Sequence, residues 1–93
     1  MRESTIETKV CNYAKSLGWT VYKFVSPGNR SVPDRIFMKG GKVFFIEFKA
    51  PGKKPTKLQN KTINDMIDNG FKVYVCDNIE YGKATVELMN LII

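Results

Sequence analysis

The sequence predicts a single α/β domain over residues 1–93, with a mixed sheet flanked by helices in the order α-β-β-β-α-β and a closing C-terminal helix. Three observations carry this. Ile6, Val10, Tyr13, Ala14 and Leu17 form one apolar stripe at helical spacing, which Gly18 ends. Runs rich in β-branched and aromatic residues follow, two of them joined by Lys39-Gly40-Gly41, a hairpin signal. A helix-length segment then separates the third run from a fourth, and a strand, helix, strand order implies a right-handed crossover between parallel strands.

Each element has its own justification. Ser4 to Glu7 has the spacing of a capping box, so the first helix is expected over about residues 5 to 17. Trp19 to Val25 reads as a strand, followed by the turn-prone Ser26 to Ser31. Asp34 to Met38 and Lys42 to Lys49 should pair antiparallel across the glycine turn. The third strand is apolar on both faces, Val43 and Phe45 on one and Phe44, Ile46 and Phe48 on the other, the pattern of a central strand covered on both sides. Pro51, Gly52 and Pro55 end it. Thr56 to Asn69 forms the second helix, closed by Gly70, and Phe71 to Cys76 the fourth strand. Ile79, Val86, Met89 and Ile93 suit a closing helix, although Gly82 and Thr85 are poor helix formers.

Composition bounds the chemistry. The chain has 93 residues, 15 basic against 9 acidic, for a formal charge of +6. This length supports one core, not two. With no histidine, imidazole bases and His-based metal sites are excluded, so catalysis must use carboxylates, lysine, tyrosine or a hard metal. No apolar stretch is long enough to span a bilayer, and the N-terminus lacks the layout of a secretory signal. Cys11 and Cys76 match no metal-binding spacing and read as buried free thiols in a reducing cytoplasm.

Five polar positions resist a purely structural account. Glu47 and Lys49 share one face near the end of the third strand among apolar neighbours, where a buried charge needs a partner or a metal; a surface ion pair at a strand end is the simpler reading. Asp34 opens the paired strand, with Pro33 fixing its approach, and the hairpin puts it opposite or diagonal to Glu47. Two carboxylates 4 Å apart repel by about 4 kcal/mol at an effective dielectric of 20, which a divalent cation would turn into binding. Alone, Asp34 could equally be a turn residue bonded to nearby backbone. Glu7 is either a cap or a residue leaning toward the sheet from the edge of the apolar stripe. Gln59 has the same ambiguity through Thr56, but it sits near the middle of the arc formed by Leu58, Thr62, Ile63, Met66 and Ile67, so a role in a buried site outweighs the cap.

The series Glu7, Pro33-Asp34, Glu47-Phe48-Lys49 and Gln59, in this order and spacing, resembles the virus-type replication-repair nuclease (VRR-NUC) domain of the PD-(D/E)XK nuclease superfamily, in a compact stand-alone, phage-like form. The resemblance spans the first helix to the fourth strand and implies a restriction-endonuclease-like core. It implies Asp34 and Glu47 as the main ligands of Mg²⁺ or Mn²⁺, with the Phe48 backbone carbonyl completing the protein side of the site. It also implies Glu7 as a contributor directly or through water, Lys49 as the catalytic lysine, and Gln59 as the residue steadying that lysine or the scissile phosphate. One departure is Ser31, where family members commonly carry a glycine; it bears on the loop from Gly28 to Val32.

Arg30, Arg35, Lys53, Lys54, Lys57 and Lys61 flank the third strand. Such a run is often only a solvated face, but beside an acidic metal site it reads as a track for DNA phosphates, with selectivity for DNA shape rather than sequence. The implied activity is metal-dependent endonucleolytic hydrolysis of branched DNA such as Holliday junctions, by a homodimer with Leu88 to Ile93 as one candidate surface, and in the host cytoplasm for a phage-encoded chain. No membrane partner or organic cofactor is expected. The competing readings are a non-catalytic nucleic-acid-binding domain and a flap or RNA-directed nuclease with the same site.

Overall fold

A computed structural model describes residues 1–92; Ile93, which the sequence assigns to the closing helix and the candidate dimer surface, lies outside them. The elements are α1 (Glu3–Ser16), β1 (Thr20–Lys23), β2 (Arg35–Lys39), β3 (Lys42–Phe48), α2 (Lys57–Asp68), β4 (Lys72–Cys76) and α3 (Ile79–Leu91). The strands form one sheet in the order β1-β2-β3-β4. β1, β2 and β3 run antiparallel in sequence, and β4 joins β3 in parallel.

Helix α1 starts earlier than expected. Its N-cap is Arg2, no side chain caps it, and Ser4 and Glu7 both lie inside the helix, so the expected capping box does not form. The sequence pattern is present, but the Thr5 and Ile6 N–H groups donate to the Arg2 carbonyl, so the helix begins at Glu3 and both residues fall inside it. Leu17 closes the helix and Gly18, at φ +94°, turns the chain toward β1. Strand β1 is shorter than the apolar run suggests, because partners on β2 begin only at Arg35. The hairpin is tight: Lys39 pairs with Lys42, and Gly40 and Gly41 have φ +55° and +82°, as a type I′ turn requires.

Strand β3 is central, and its residues Phe44 to Phe48 are all buried. Phe44, Ile46 and Phe48 face α1 and α3, in a core with Ile6, Val10, Ala14, Trp19, Phe37, Cys76, Val86 and Met89. Phe37 and Phe44 stack at 4.5 Å, and Trp19 meets Phe44 edge-on at 5.0 Å. On the other face Phe45, Ile63 and Val73 form a smaller cluster under α2. The C-terminal segment is helical despite Gly82 and Thr85. Gly82 packs against α1, where a Cβ would come within 2.4 Å of Val10 Cγ2, and Thr85 Oγ1 donates to the Tyr81 carbonyl inside the helix. Cys11 and Cys76 are buried free thiols. Among the described residues no helix is long and apolar enough to cross a membrane.

Candidate active site

The hairpin register carries Asp34 to Glu47. Arg35 pairs with Ile46, so one residue further Asp34 and Glu47 face each other. Asp34 is anchored from both sides: its carbonyl accepts the Phe24 N–H at 2.9 Å, and its Oδ2 accepts the Phe48 N–H at 2.8 Å. Pro33, fully buried, fixes the approach to the strand. Burial pushes the Asp34 carboxyl above its ordinary range, partly opposed by the Phe48 N–H.

Glu47 is only 3 % exposed. Its Oε2 accepts from Gln59 Nε2 at 2.9 Å and lies 3.4 Å from Lys49 Nζ. Its Oε1 is buried with no hydrogen-bond partner among the described residues. Burial and the nearby Asp34 charge push the carboxyl up to about 7, against the pull of Lys49. The expected surface ion pair between Glu47 and Lys49 is thus largely buried, with side chains 4 % and 16 % exposed. Lys49 lies just past β3, but its N–H still donates to the Cys76 carbonyl at 2.9 Å, holding it in line with the parallel ladder.

Gln59 fills both roles between which the sequence was ambiguous. Its backbone N–H donates to Thr56 Oγ1 and its side-chain Oε1 accepts the Thr56 N–H, a complete capping box, while Nε2 reaches Glu47. A swapped amide would set donor against donor at Thr56 and acceptor against acceptor at Glu47, so both ends fix one orientation.

Glu7 leans toward the sheet, and its Oε2 accepts from Arg35 Nε at 2.6 Å. Glu7 and Arg35 therefore form an ion pair at the edge of the carboxylate cluster, Glu7 near enough to raise Asp34 further. Arg30, Lys53, Lys54 and Lys57 are exposed. Lys61 is exposed as well and pairs with Asp65 on the helix surface at 2.9 Å. Leu88, Leu91 and Ile92 on and after α3 are partly exposed.

The loop before Asp34 contains polar partners that the sequence did not reveal. Ser31, buried, donates its N–H to Asn29 Oδ1 at 2.9 Å, and its hydroxyl lies against both Asn29 Oδ1 and Thr62 Oγ1. Ser31 thus ties this loop to α2. Thr62 falls in the buried arc of α2, the one sequence signal that could have pointed to it.

Among the described residues no three His, Cys, Asp or Glu side chains converge into a ready-made metal cluster. Mg²⁺ does not need one, because it is commonly held by one or two carboxylates and keeps several waters. The Glu47 Oε1, which has no partner among the described residues, and the neighbouring Asp34 carboxylate are the hard oxygen donors such an ion takes, while Gln59 and Lys49 hold the other Glu47 oxygen.

No family model matches the chain. A solved structure described as a VRR_NUC domain superposes with a TM-score of 0.84, covering 91% of this chain and 94% of that one at 22% identity. Fold and strand arrangement are those of a compact VRR-NUC domain. In sequence the chain is 42% identical over 79 residues to the protein named "Putative nuclease p44" of Acyrthosiphon pisum secondary endosymbiont phage 1, which spans 84% of this chain and 85% of the relative. The chain belongs to the same family as this phage protein.

Proposed function

We propose that the protein is a nuclease, and more narrowly a Mg²⁺- or Mn²⁺-dependent endonuclease that hydrolyses phosphodiester bonds in branched DNA. The observation that carries this is Glu47: a buried carboxylate with one oxygen unpartnered, opposite Asp34 and 3.4 Å from Lys49 Nζ. A carboxylate used only for structure is expected to have both oxygens satisfied.

Asp34, Glu47 and the Phe48 carbonyl would hold the cation, with Glu7 contributing directly or through water. When bound, the ion supplies neutralisation of phosphate charge and a more acidic water. Lys49 places a compact positive charge beside the carboxylates, suited to the charge that develops on the scissile phosphate. Gln59 holds Glu47 Oε2 in place and so steadies the carboxylate that Lys49 also faces. Arg30, Arg35, Lys53, Lys54, Lys57 and Lys61 supply phosphate contacts without reading bases, in a chain of charge +6. Such phosphate contacts carry no sequence information, which favours selectivity by DNA shape.

We place its action on junctions such as Holliday junctions and its working form as a homodimer, since two related sites suit paired incisions across a two-fold substrate. Action in the cytoplasm, the host's for a phage-encoded chain, fits the free thiols. The test is a cleavage panel of four-way junction, flap, splayed arm, plain duplex and the matching RNAs, with Mg²⁺ or Mn²⁺, comparing wild type with Lys49→Ala and Asp34→Asn. Paired nicks across the junction, lost in both variants while DNA binding persists, are expected. DNA bound but never cut by the wild type overturns the enzyme reading in favour of a binding domain; preference for flaps or RNA overturns the junction assignment.

A further inference from the structure

The chain leaves the site through a short turn. Lys53 N–H donates to the Ala50 carbonyl at 2.9 Å, with Pro51 second and Gly52 third at φ +78°. Proline presets its own φ and glycine supplies the left-handed backbone, as a type II turn demands. The Gly52 N–H is not used by that bond and donates to Asp77 Oδ2 at 3.1 Å, while Asp77 Oδ1 accepts from Asn78 Nδ2 at 3.3 Å.

Asp77 directly follows β4, and its neighbour Cys76 holds the Lys49 N–H through its carbonyl. Lys49 is therefore fixed by the sheet and the turn beyond it by Asp77. Pro51 and Asp77 line an open pocket of about 490 Å³ together with Ile6 and Ile79. Lys53 and Lys54 follow immediately and are exposed. Lys54 is near enough to favour the Asp77 charge, yet forms no ion pair with it among the described residues.

We propose that Asp77 is a positioning residue for DNA: by holding Gly52 it presents Lys53 and Lys54 to the phosphate backbone beside Lys49. This rests on the nuclease reading and deepens it. The sign of the effect sets it apart from simple electrostatics. Removing an exposed carboxylate from a DNA-binding surface strengthens phosphate binding if charge alone matters. If Asp77 acts through the turn, its loss weakens binding although the chain becomes more positive.

The test compares wild type, Asp77→Ala, Asp77→Asn and Gly52→Ala, using a four-way junction DNA for binding in EDTA and for KM and kcat with Mn²⁺. For Asp77→Ala we expect Kd and KM to rise about five- to tenfold and the salt slope to become shallower by about one phosphate contact. Its kcat should stay within about twofold, because Lys49 is held independently by the Cys76 carbonyl. Asp77→Asn keeps an acceptor oxygen and should restore binding. Gly52→Ala leaves charge unchanged and meets no atom within 4 Å, but strains the positive φ, and should weaken binding in the same way even if Asp77→Ala folds poorly. Binding that is unchanged or tighter in Asp77→Ala, or wild-type in Gly52→Ala, overturns the proposal while the nuclease reading stands. A wild type that neither binds nor cuts DNA overturns both.

Discussion

Gln59 Nε2 donates to Glu47 Oε2 at 2.9 Å while the same amide's oxygen closes the N-terminal cap of α2 on Thr56. One side chain therefore couples the start of a helix to a buried carboxylate on the central strand. The cap sets the amide's orientation, and that orientation points its donor at Glu47. Thr56, exposed, is linked to Glu47 only through this amide.

Separating the two roles is possible by substitution. Thr56→Ala loses the hydroxyl that caps the helix but keeps the backbone N–H that orients the Gln59 amide, so it should cost about 1 kcal/mol of stability with cleavage per folded molecule unchanged. Gln59→Ala should cost a similar amount and also lower kcat by about tenfold or more, since a hydrogen bond to a charged group is worth about 1.5–3 kcal/mol. Melting curves and steady-state kinetics on both variants check this. Equal loss of activity in Thr56→Ala would mean that Gln59 acts only as a cap.

The Glu47 carboxyl gives a pH prediction with a definite sign. Its ordinary value is 4.5, and in the folded protein it is pushed up to about 7. Between these values the folded chain binds a proton that the unfolded chain does not, so metal-free stability rises as pH falls from about 7 toward 4.5, by roughly 1–3 kcal/mol. Asp34, also raised, acts in the same direction. Glu47→Gln should flatten this slope and make the metal-free protein more stable than wild type at pH 8. Denaturant melts at pH 5, 6, 7 and 8 measure it, and a wild-type slope retained in Glu47→Gln would assign the effect elsewhere.

Protons and cations compete for the same oxygens. Cleavage at low Mn²⁺ should therefore rise with pH through about 7, the value of Glu47, and the midpoint should move to lower pH as Mn²⁺ increases. Without DNA, saturating Mn²⁺ at about a hundred times its Kd should add about 2.7 kcal/mol of stability, a melting increase on the order of 10 °C in a domain of this size. EDTA should reverse the increase, and Asp34→Asn and Glu47→Gln should abolish it. An equal increase in Glu47→Gln would place the ion away from these carboxylates.

Much of this was legible in the sequence because local and long-range signals agreed. The glycine pair fixed the hairpin, and the hairpin fixed the register that sets Asp34 against Glu47. Helix-length spacing before Phe71 implied the parallel partner that holds Lys49. What was not legible depended on side chains meeting across elements. Glu7 carried the spacing of a cap but lies within α1 and pairs with Arg35, because α1 begins at Glu3 and packs over the sheet. Ser31 reads locally as one more residue of a turn-prone stretch; its partner, Thr62, is brought to it only by tertiary folding. In the sequence a cap and a buried role compete for Gln59, whereas an amide has two ends and uses both.

Gly82 illustrates the same limit and yields the last prediction. Read locally, it weakens a helix by about 1 kcal/mol relative to alanine, so Gly82→Ala ought to stabilise α3. In the structure a Cβ at this position would lie 2.4 Å from Val10 Cγ2 and 2.9 Å from Cys76 Sγ, contacts that the fully buried Val10 and Cys76 cannot relieve without moving α1 or β4. Overpacking of this kind typically costs about 1–3 kcal/mol and outweighs the propensity gain. Gly82→Ala should therefore lower stability, and adding Val10→Ala should cost less than the sum of the two single changes, since the smaller residue admits the new methyl. Denaturant unfolding of the two single variants and the double measures the coupling. A stabilised Gly82→Ala, or strict additivity with Val10→Ala, would show that α1 and α3 are not packed this closely in solution.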